Sequence, residues 1–244
     1  MLTDKIKHYR TDAEYYDYFS RENPVIVDEE RRRMQFLKRQ IDFAPGAVIA
    51  DCGSGNGWIA GEFLQRGVNV ISIDLSEINL QRIQKIHDPE RKGMYVIADL
   101  YNLPFKDGVL DGATSNDVFE HIEKPDQAAA EANRCLKPGG KFYVSVPYKE
   151  NIIYYICIHC NKPTPINAHL HSFDDESLHQ IFEQTGYKIE RMKKFINKAL
   201  TITLISYIFL RWMPYWLWRP IDKFVGLFIH RYSRISLTVV RANG

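Results

Sequence analysis

Two groups of residues have the types and spacing to do chemistry. The first is the turn Asp51-Cys52-Gly53-Ser54-Gly55-Asn56-Gly57. An acid at the end of a strand, followed by G-x-G-x-G, sets several backbone N–H groups at the mouth of a helix and keeps Cβ atoms out of a ligand's way. Such a turn alone would suit many ligands, so the discriminating residues are those at the ends of later strands. Asp74 closes the second apolar run, where its carboxylate can accept both hydrogens of a ribose diol. Asp99 closes the third, where it can accept from an adenine amino group. Leu75 and Leu100 follow them as apolar covers for the adenine faces.

The second group is Cys157-Ile158-His159-Cys160, followed by His169-Leu170-His171. The C-x-x-C turn resembles a zinc knuckle, in which two thiolates converge on one metal. An H-x-H pair sharing one face of an extended segment would complete a closed tetrahedral site. Cys157, Cys160, His169 and His171 are therefore the expected ligands of a structural zinc, which would stabilise an insert with little core of its own. His159 is expected to point away. Two other readings stay open: histidines that face a substrate without a metal, and plain surface residues.

The elements that must hold these groups follow from the hydropathy rhythm. Short apolar runs at 47–50, 70–73, 94–97 and 142–146 alternate with helix candidates at 57–66, 76–86 and 126–135, and 112–115 is a weaker strand. That alternation predicts βαβ units and a parallel sheet. Upstream, 12–41 reads as two helices broken near Pro24, with Arg31, Arg32 and Arg33 on a solvated face. Residues 148–171, with Pro163 and Pro165, read as an irregular insert. Asp174 caps a helix that stops at Gly186. Strands are expected at 187–195 and 235–240, separated by a very apolar insert. The fold class is α/β: a doubly wound, Rossmann-like, seven-stranded sheet with helices on both faces. Its parts are an N-terminal helical cap (1–44), a cofactor-binding core (45–147), a Cys/His insert (148–172) and the remainder of the core (173–244), which carries an apolar helical insert at 197–232.

With those elements in place, the chain resembles the class I S-adenosylmethionine-dependent methyltransferases, in particular the small-molecule branch related to ubiquinone and glycan-locus enzymes. The resemblance rests on Val48-Ile49-Ala50-Asp51-Cys52-Gly53-Ser54-Gly55-Asn56-Gly57, on Asp74, and on Ala98-Asp99-Leu100 followed by Leu103-Pro104-Phe105. Asn116-Asp117-Val118-Phe119-Glu120-His121 and Leu136-Lys137-Pro138-Gly139-Gly140 complete it, in the family's order across 45–147. It implies S-adenosylmethionine as cofactor. Asp51, Gly53, Ser54, Gly55, Asn56 and Gly57 would meet its methionine end, Asp74 the ribose, Asp99 the adenine, and Asn116, Asp117 and Val118 its other edge. Trp58 stands where the family often has a smaller residue and would narrow the pocket. His121 would stabilise the helix after the fourth strand. His169-Leu170-His171-Ser172-Phe173-Asp174 is similar to a segment that lines the substrate side in related enzymes.

Methyl transfer is an in-line displacement that depends mainly on holding the reacting atoms in register. A base is needed only for a poorly acidic nucleophile, so no catalytic residue is assigned. Two other classes compete. A nicotinamide-dependent oxidoreductase would need G-x-G-x-x-G, and the third position counted from Gly53 and Gly55 is Trp58. Asp51 would also repel a pyrophosphate, whereas it suits a cofactor carrying a sulfonium and an ammonium. The third class is a non-catalytic binding module on the same fold.

The whole composition is that of an ordinary globular chain: 244 residues, 45% hydrophobic and 25% charged. Four cysteines are too few for a disulfide framework, and the first residues lack the apolar core of a signal peptide, so a cytoplasmic location is expected. The formal net charge is +2, yet residues 191–234 hold nine Lys or Arg against the single acid Asp222. A local anionic partner fits that asymmetry better than nucleic acid does.

Residues 199–210 are nearly continuous apolar sequence, and Trp212, Tyr215, Trp216 and Trp218 then gather beside Arg211 and Arg219, the composition of a bilayer interface. One transmembrane crossing would leave neighbouring strands on opposite sides and would bury Arg211. The insert is therefore expected to rest on the inner membrane face as a peripheral cap, and the acceptor to be a small hydrophobic or lipid-linked molecule. An extra apolar layer on the sheet, or a homodimer interface, is the alternative.

Overall fold

The computed structural model describes residues 23–242 and the isolated positions Lys7 and Thr11. Of the two helices expected over 12–41, the one ahead of Pro24 lies outside the described residues. The strands are β1 (Val48–Cys52), β2 (Asn69–Asp74), β3 (Met94–Ile97), β4 (Leu110–Asn116), β5 (Leu136–Pro147), β6 (Tyr154–Ile156), β7 (Pro163–Pro165), β8 (Tyr187–Asn197) and β9 (Tyr232–Arg241). The helices are α1 (Pro24–Leu37), α2 (Trp58–Phe63), α3 (Glu77–His87), α4 (Pro125–Cys135), α5 (Asp175–Gln184), α6 (Lys198–Ile202), α7 (Ile205–Leu210) and α8 (Tyr215–Phe228). Seven strands form one sheet in the order β3-β2-β1-β4-β5-β9-β8, as expected for a doubly wound fold. The first five are parallel, and β9 and β8 add antiparallel at the β5 side.

Period-2 alternation divides each inner strand between two cores. Ala50, Ile71, Phe142 and Leu237 belong to one, with Ala128, Ala129 and Ala132 of α4 and Leu178 and Phe182 of α5 packed against them. Ile49, Val70, Tyr143 and Phe195 belong to the other, with Phe36 and Leu37 of α1, Ile59 and Phe63 of α2, Leu80 and Ile83 of α3, and Trp218 of α8. The helix starts follow local chemistry. Ser76 caps α3 by accepting from Asn79 N, and Asp174 and Ser177 form a reciprocal capping box on α5.

The chain switches direction across the sheet between β1 and β4, so the carboxyl ends of β1, β2 and β4 open a crevice there. Asp51, Asp74 and Asn116 all stand on that edge.

The insert between β8 and β9 is α6, α7 and α8. Its ends stay zipped, since Asn197 pairs with Tyr232 and Lys198 N donates to Arg231 O at 2.8 Å. Buried Asp222 accepts from Asn197 N at 2.7 Å and pairs with Arg219, while Asn197 Nδ2 donates to Ile229 O. The three arginines of α1 depart from the solvated face expected of them. Arg32 is 1% exposed and donates to Met213 O at 2.8 Å and Leu210 O at 2.5 Å, with its guanidinium 5.0 Å from the Trp218 ring centre. Arg31 reaches Arg211 O, and Arg33 pairs with Asp117 and Glu30. A short apolar hairpin with open carbonyls at a helix end needs buried donors, and α1 supplies them.

Candidate functional site

The glycine-rich turn leaves β1 and enters α2. Gly53, Gly55 and Gly57 all have positive φ, at 75°, 51° and 73°. The three are not equivalent. A Cβ on Gly53 would lie 2.4 Å from Val118 Cγ2, and one on Gly57 would lie 2.6 Å from Ile83 Cγ2, so these two glycines are required by packing. A Cβ on Gly55 would meet nothing within 4 Å. Gly55 is thus the glycine that faces open space where a ligand would lie, and Val118 closes over the turn from the β4 side. Ser54 is buried, and its hydroxyl donates to Asp51 O at 2.9 Å. Asn56 Oδ1 accepts from Trp58 N, and Asn56 O meets His87 Nε2 at 3.0 Å. Trp58 packs its half-buried ring against the second core.

Asp51 is 2% exposed, and the strand register places it opposite Thr114, whose hydroxyl donates to Asp51 Oδ1 at 2.7 Å. Burial pushes its carboxyl up to about 7, and neighbouring Asp74 adds to the effect against the two hydroxyl contacts. Burial also raises Asp74, while its backbone donors oppose the shift: Oδ2 accepts from Gly55 N at 3.1 Å and Oδ1 from Ser76 N at 2.9 Å. The Leu75 N–H and the Asn79 side chain also donate to this carboxylate. One side chain thereby fixes the glycine turn and the start of α3 together. Asp99 Oδ1 accepts from Tyr101 N at 3.1 Å, and Leu75 and Leu100 are half-buried beside their acids. Asn116 presents a buried Nδ2 with no partner. Asp117, at φ +55°, directs its carboxylate to Arg33 and Arg234.

A sulfonium nucleoside fits this donor set. Its two cationic groups would meet Asp51, an open face lies over Gly55, acids end two neighbouring strands, and an orphaned amide stands on the opposite wall.

The four residues expected to hold zinc do not converge. Cys157 and Cys160 sit in the turn of the exposed β6–β7 hairpin, where Cys157 N donates to Lys162 O and Asn161 N to Cys157 O. The backbone N–H groups of Cys160 and His159 lower the Cys157 thiol. The histidines turn the other way. Leu170 N and His171 N both donate to Glu120 O, which holds the extended segment against the turn after β4. His171 Nε2 then meets Ile122 O at 2.9 Å, and His169 Nδ1 pairs with Glu150. Backbone pairing to the core outcompetes the proposed chelate, so the Cys2His2 expectation is corrected.

A different cluster appears in its place. Glu120, His121 and His169 offer ligand atoms within 4.8 Å of one another, the single such group among the described residues. Glu120 is 0% exposed, neither of its carboxylate oxygens has a hydrogen-bond partner, and burial lifts it to about 7. The rings of His121 and His169 meet edge-on at 4.6 Å. His121 lies in the turn ahead of α4. The sequence marked Asn116–His121 only as a run; nothing local announced that His169 and Glu150 would arrive beside it from an insert.

Comparison with known proteins agrees with this geometry. Residues 50–144 match the family described as a methyltransferase domain. The chain is 30% identical over 151 residues to phosphoethanolamine N-methyltransferase 2 of Caenorhabditis elegans, covering 59% of this chain and 33% of that protein. It is 30% identical over 135 residues to demethylmenaquinone methyltransferase of Thermobifida fusca, covering 54% and 56%. The chain thus spans a third to just over half of these relatives' length. Among solved structures, geranyl diphosphate C-methyltransferase from Streptomyces coelicolor A3(2) superposes with a TM-score of 0.68 at 13% identity, covering 99% of this chain and 100% of that one. An S-adenosylmethionine-dependent methyltransferase from Mesorhizobium loti gives 0.63 at 18% identity, covering 88% and 100%.

Proposed function

We propose, from the premise that residues 50–144 form a class I methyltransferase domain, that this chain transfers a methyl group from S-adenosylmethionine to a small apolar or lipid-linked acceptor at a membrane surface. The observation that carries the cofactor half is the open face of Gly55 between Asp51, Asp74 and Asn116. Bound there, the cofactor would supply a methyl group on a sulfonium. The chain's own work is positional. Asp51 offers a negative charge to the cationic end, Asp74 and Asp99 accept from ribose and adenine, Leu75 and Leu100 cover the base, and Asn116 and Val118 close the wall. Ser54, Asn56 and Gly57 shape the turn, and Asp117 shapes the edge through its arginines.

The acceptor half rests on the cap. Trp212 is 83% exposed, Phe209 74%, Phe228 72%, and Trp216, Phe224 and Leu227 each more than 60%. Among the insert's charged side chains, Asp222 is buried while Lys223 and Arg231 are exposed. An apolar, aromatic and cationic surface of this kind complements an anionic bilayer. No helix among the described residues is long and apolar enough to cross a membrane. The Thermobifida relative, named for demethylmenaquinone, adds support for an apolar acceptor.

Isothermal titration with S-adenosylhomocysteine and with NADH tests the first half. Saturable binding of the former alone is expected, and binding of NADH alone would replace this reading with the oxidoreductase one. Methyl transfer from radiolabelled cofactor to a membrane lipid extract separates an enzyme from a binding module.

A further inference from the structure

We propose that Glu120, His121 and His169 bind a divalent transition-metal ion beside the cofactor crevice. Three observations meet here. The three side chains come from two distant segments, yet their ligand atoms lie within 4.8 Å of one another. Around a tetrahedral ion with ligand bonds of about 2.1 Å, neighbouring ligand atoms stand about 3.4 Å apart, so small rotations of the two half-buried imidazoles would close the site.

Next, Glu120 is fully buried with both carboxylate oxygens unpartnered. A buried carboxylate left that way is costly. Arg33 and Arg234 act on it only through space, since both hold Asp117. A divalent cation is the partner that this oxygen pair lacks.

Finally, His169 is oriented as metal-bound histidines are. Its Nδ1 is taken by the Glu150 carboxylate, which leaves Nε2 for the ion. Two imidazoles and one carboxylate suit zinc, iron, cobalt or manganese better than calcium or magnesium. Three protein ligands leave a coordination position open. The segment Asn116–Val118 that walls the crevice runs directly into Glu120, which sets the ion beside the cofactor crevice. An ion held there would supply Lewis acidity: an acceptor hydroxyl at the open position would become more acidic and release its proton to solvent water as the oxygen takes the methyl group. This last step rests on the methyl-transfer reading; the binding of the ion does not.

The test uses untagged, chelator-stripped full-length protein titrated with ZnCl2 in a calorimeter and with CoCl2 by absorption spectroscopy. One equivalent of either metal is expected, with cobalt ligand-field bands and no thiolate-to-cobalt charge-transfer band. The double variant Cys157→Ser/Cys160→Ser should bind as the wild type does. His169→Ala should lose binding, and Glu150→Gln, which removes only the orienting carboxylate, should weaken it by about 10–100-fold. Glu120→Gln keeps the side chain's shape and should also lose the metal, so a folding defect is not the readout. Binding lost in the cysteine variant but kept in His169→Ala would overturn the proposal, as would no binding by the wild type. Calorimetry with S-adenosylhomocysteine on the same samples reports the cofactor reading separately: metal without nucleoside binding would sink methyl transfer and leave the metal site standing.

Discussion

Asp51 is buried at the end of β1 with Thr114 as its hydroxyl donor, and its carboxyl rises to about 7. Between the ordinary carboxylate range and about 7, the folded chain keeps a proton there that the unfolded chain gives up. This contribution therefore makes stability fall as pH rises through that window and level off above it. A ligand with two positive charges favours the ionised form, so binding in the same window releases a proton. Affinity for S-adenosylmethionine should rise with pH up to about 7 and then plateau. Titration in buffers of different ionisation enthalpy would show the released proton, and Asp51→Asn should bind more weakly and lose the pH dependence. The glycines make a contrasting prediction. Gly53→Ala and Gly57→Ala drive a Cβ into Val118 and Ile83 and should lower the melting temperature. Gly55→Val has room in the fold, so its main stability cost is the left-handed backbone, about 1–2 kcal/mol, and its side chain occupies the ligand's face. Gly55→Val and Asp74→Ala should each weaken S-adenosylhomocysteine by about 10–100-fold, the equivalent of about 1–3 kcal/mol, as calorimetry would read.

Among the elements, α1 and the α6–α8 insert depend on each other. Arg32 is inside the joint, and burial, with help from Arg31, lowers its guanidinium to about 10. Its donors satisfy Leu210 O and Met213 O at the end of α7. Beside it, Phe36 stacks on Phe195 with ring centres 3.9 Å apart. Replacing Arg32 with Met keeps much of the volume and strands the carbonyls, which costs about 1–3 kcal/mol. In a chain of this size that is roughly 2–4 °C of melting temperature for each kcal/mol. Limited proteolysis should then cut first within 203–214, whereas an intact cap in Arg32→Met would show that apolar packing alone holds it. Arg31→Ala, at a half-exposed position, should have the smaller effect.

For the molecule as a whole, the cap, the crevice and the cationic excess of 191–234 make one prediction about where the protein works. It should float with anionic liposomes, less well with neutral ones, and release as ionic strength rises. Phe209→Glu/Trp212→Glu changes two exposed side chains, so it should abolish flotation with the melting temperature unchanged. If the wild type instead sediments as a dimer that this variant converts to a monomer, the apolar face is a subunit interface and the membrane reading fails.

By itself the sequence determined the parallel strands β1 to β3, the helices between them, and the glycine turn with its two strand-end acids, because each is written in adjacent residues: short apolar runs for strands covered on both faces, and turn and cap residues between them. It also set out strands β8 and β9 on either side of the apolar insert, whereas 148–171, read as irregular, holds the β6–β7 hairpin. Tertiary structure decided what long-range neighbours decide. The arginines of α1 read as a solvated face because nothing local reveals carbonyls from 210–213 waiting for donors. The cysteines and histidines read as one metal site because spacing suggested it, but Leu170 and His171 spend their backbone N–H groups on Glu120 O and carry the histidines away from the hairpin. Whether Glu120 was a surface acid or a buried, unpartnered one depended on a segment fifty residues downstream, and only the folded chain brings that segment to it.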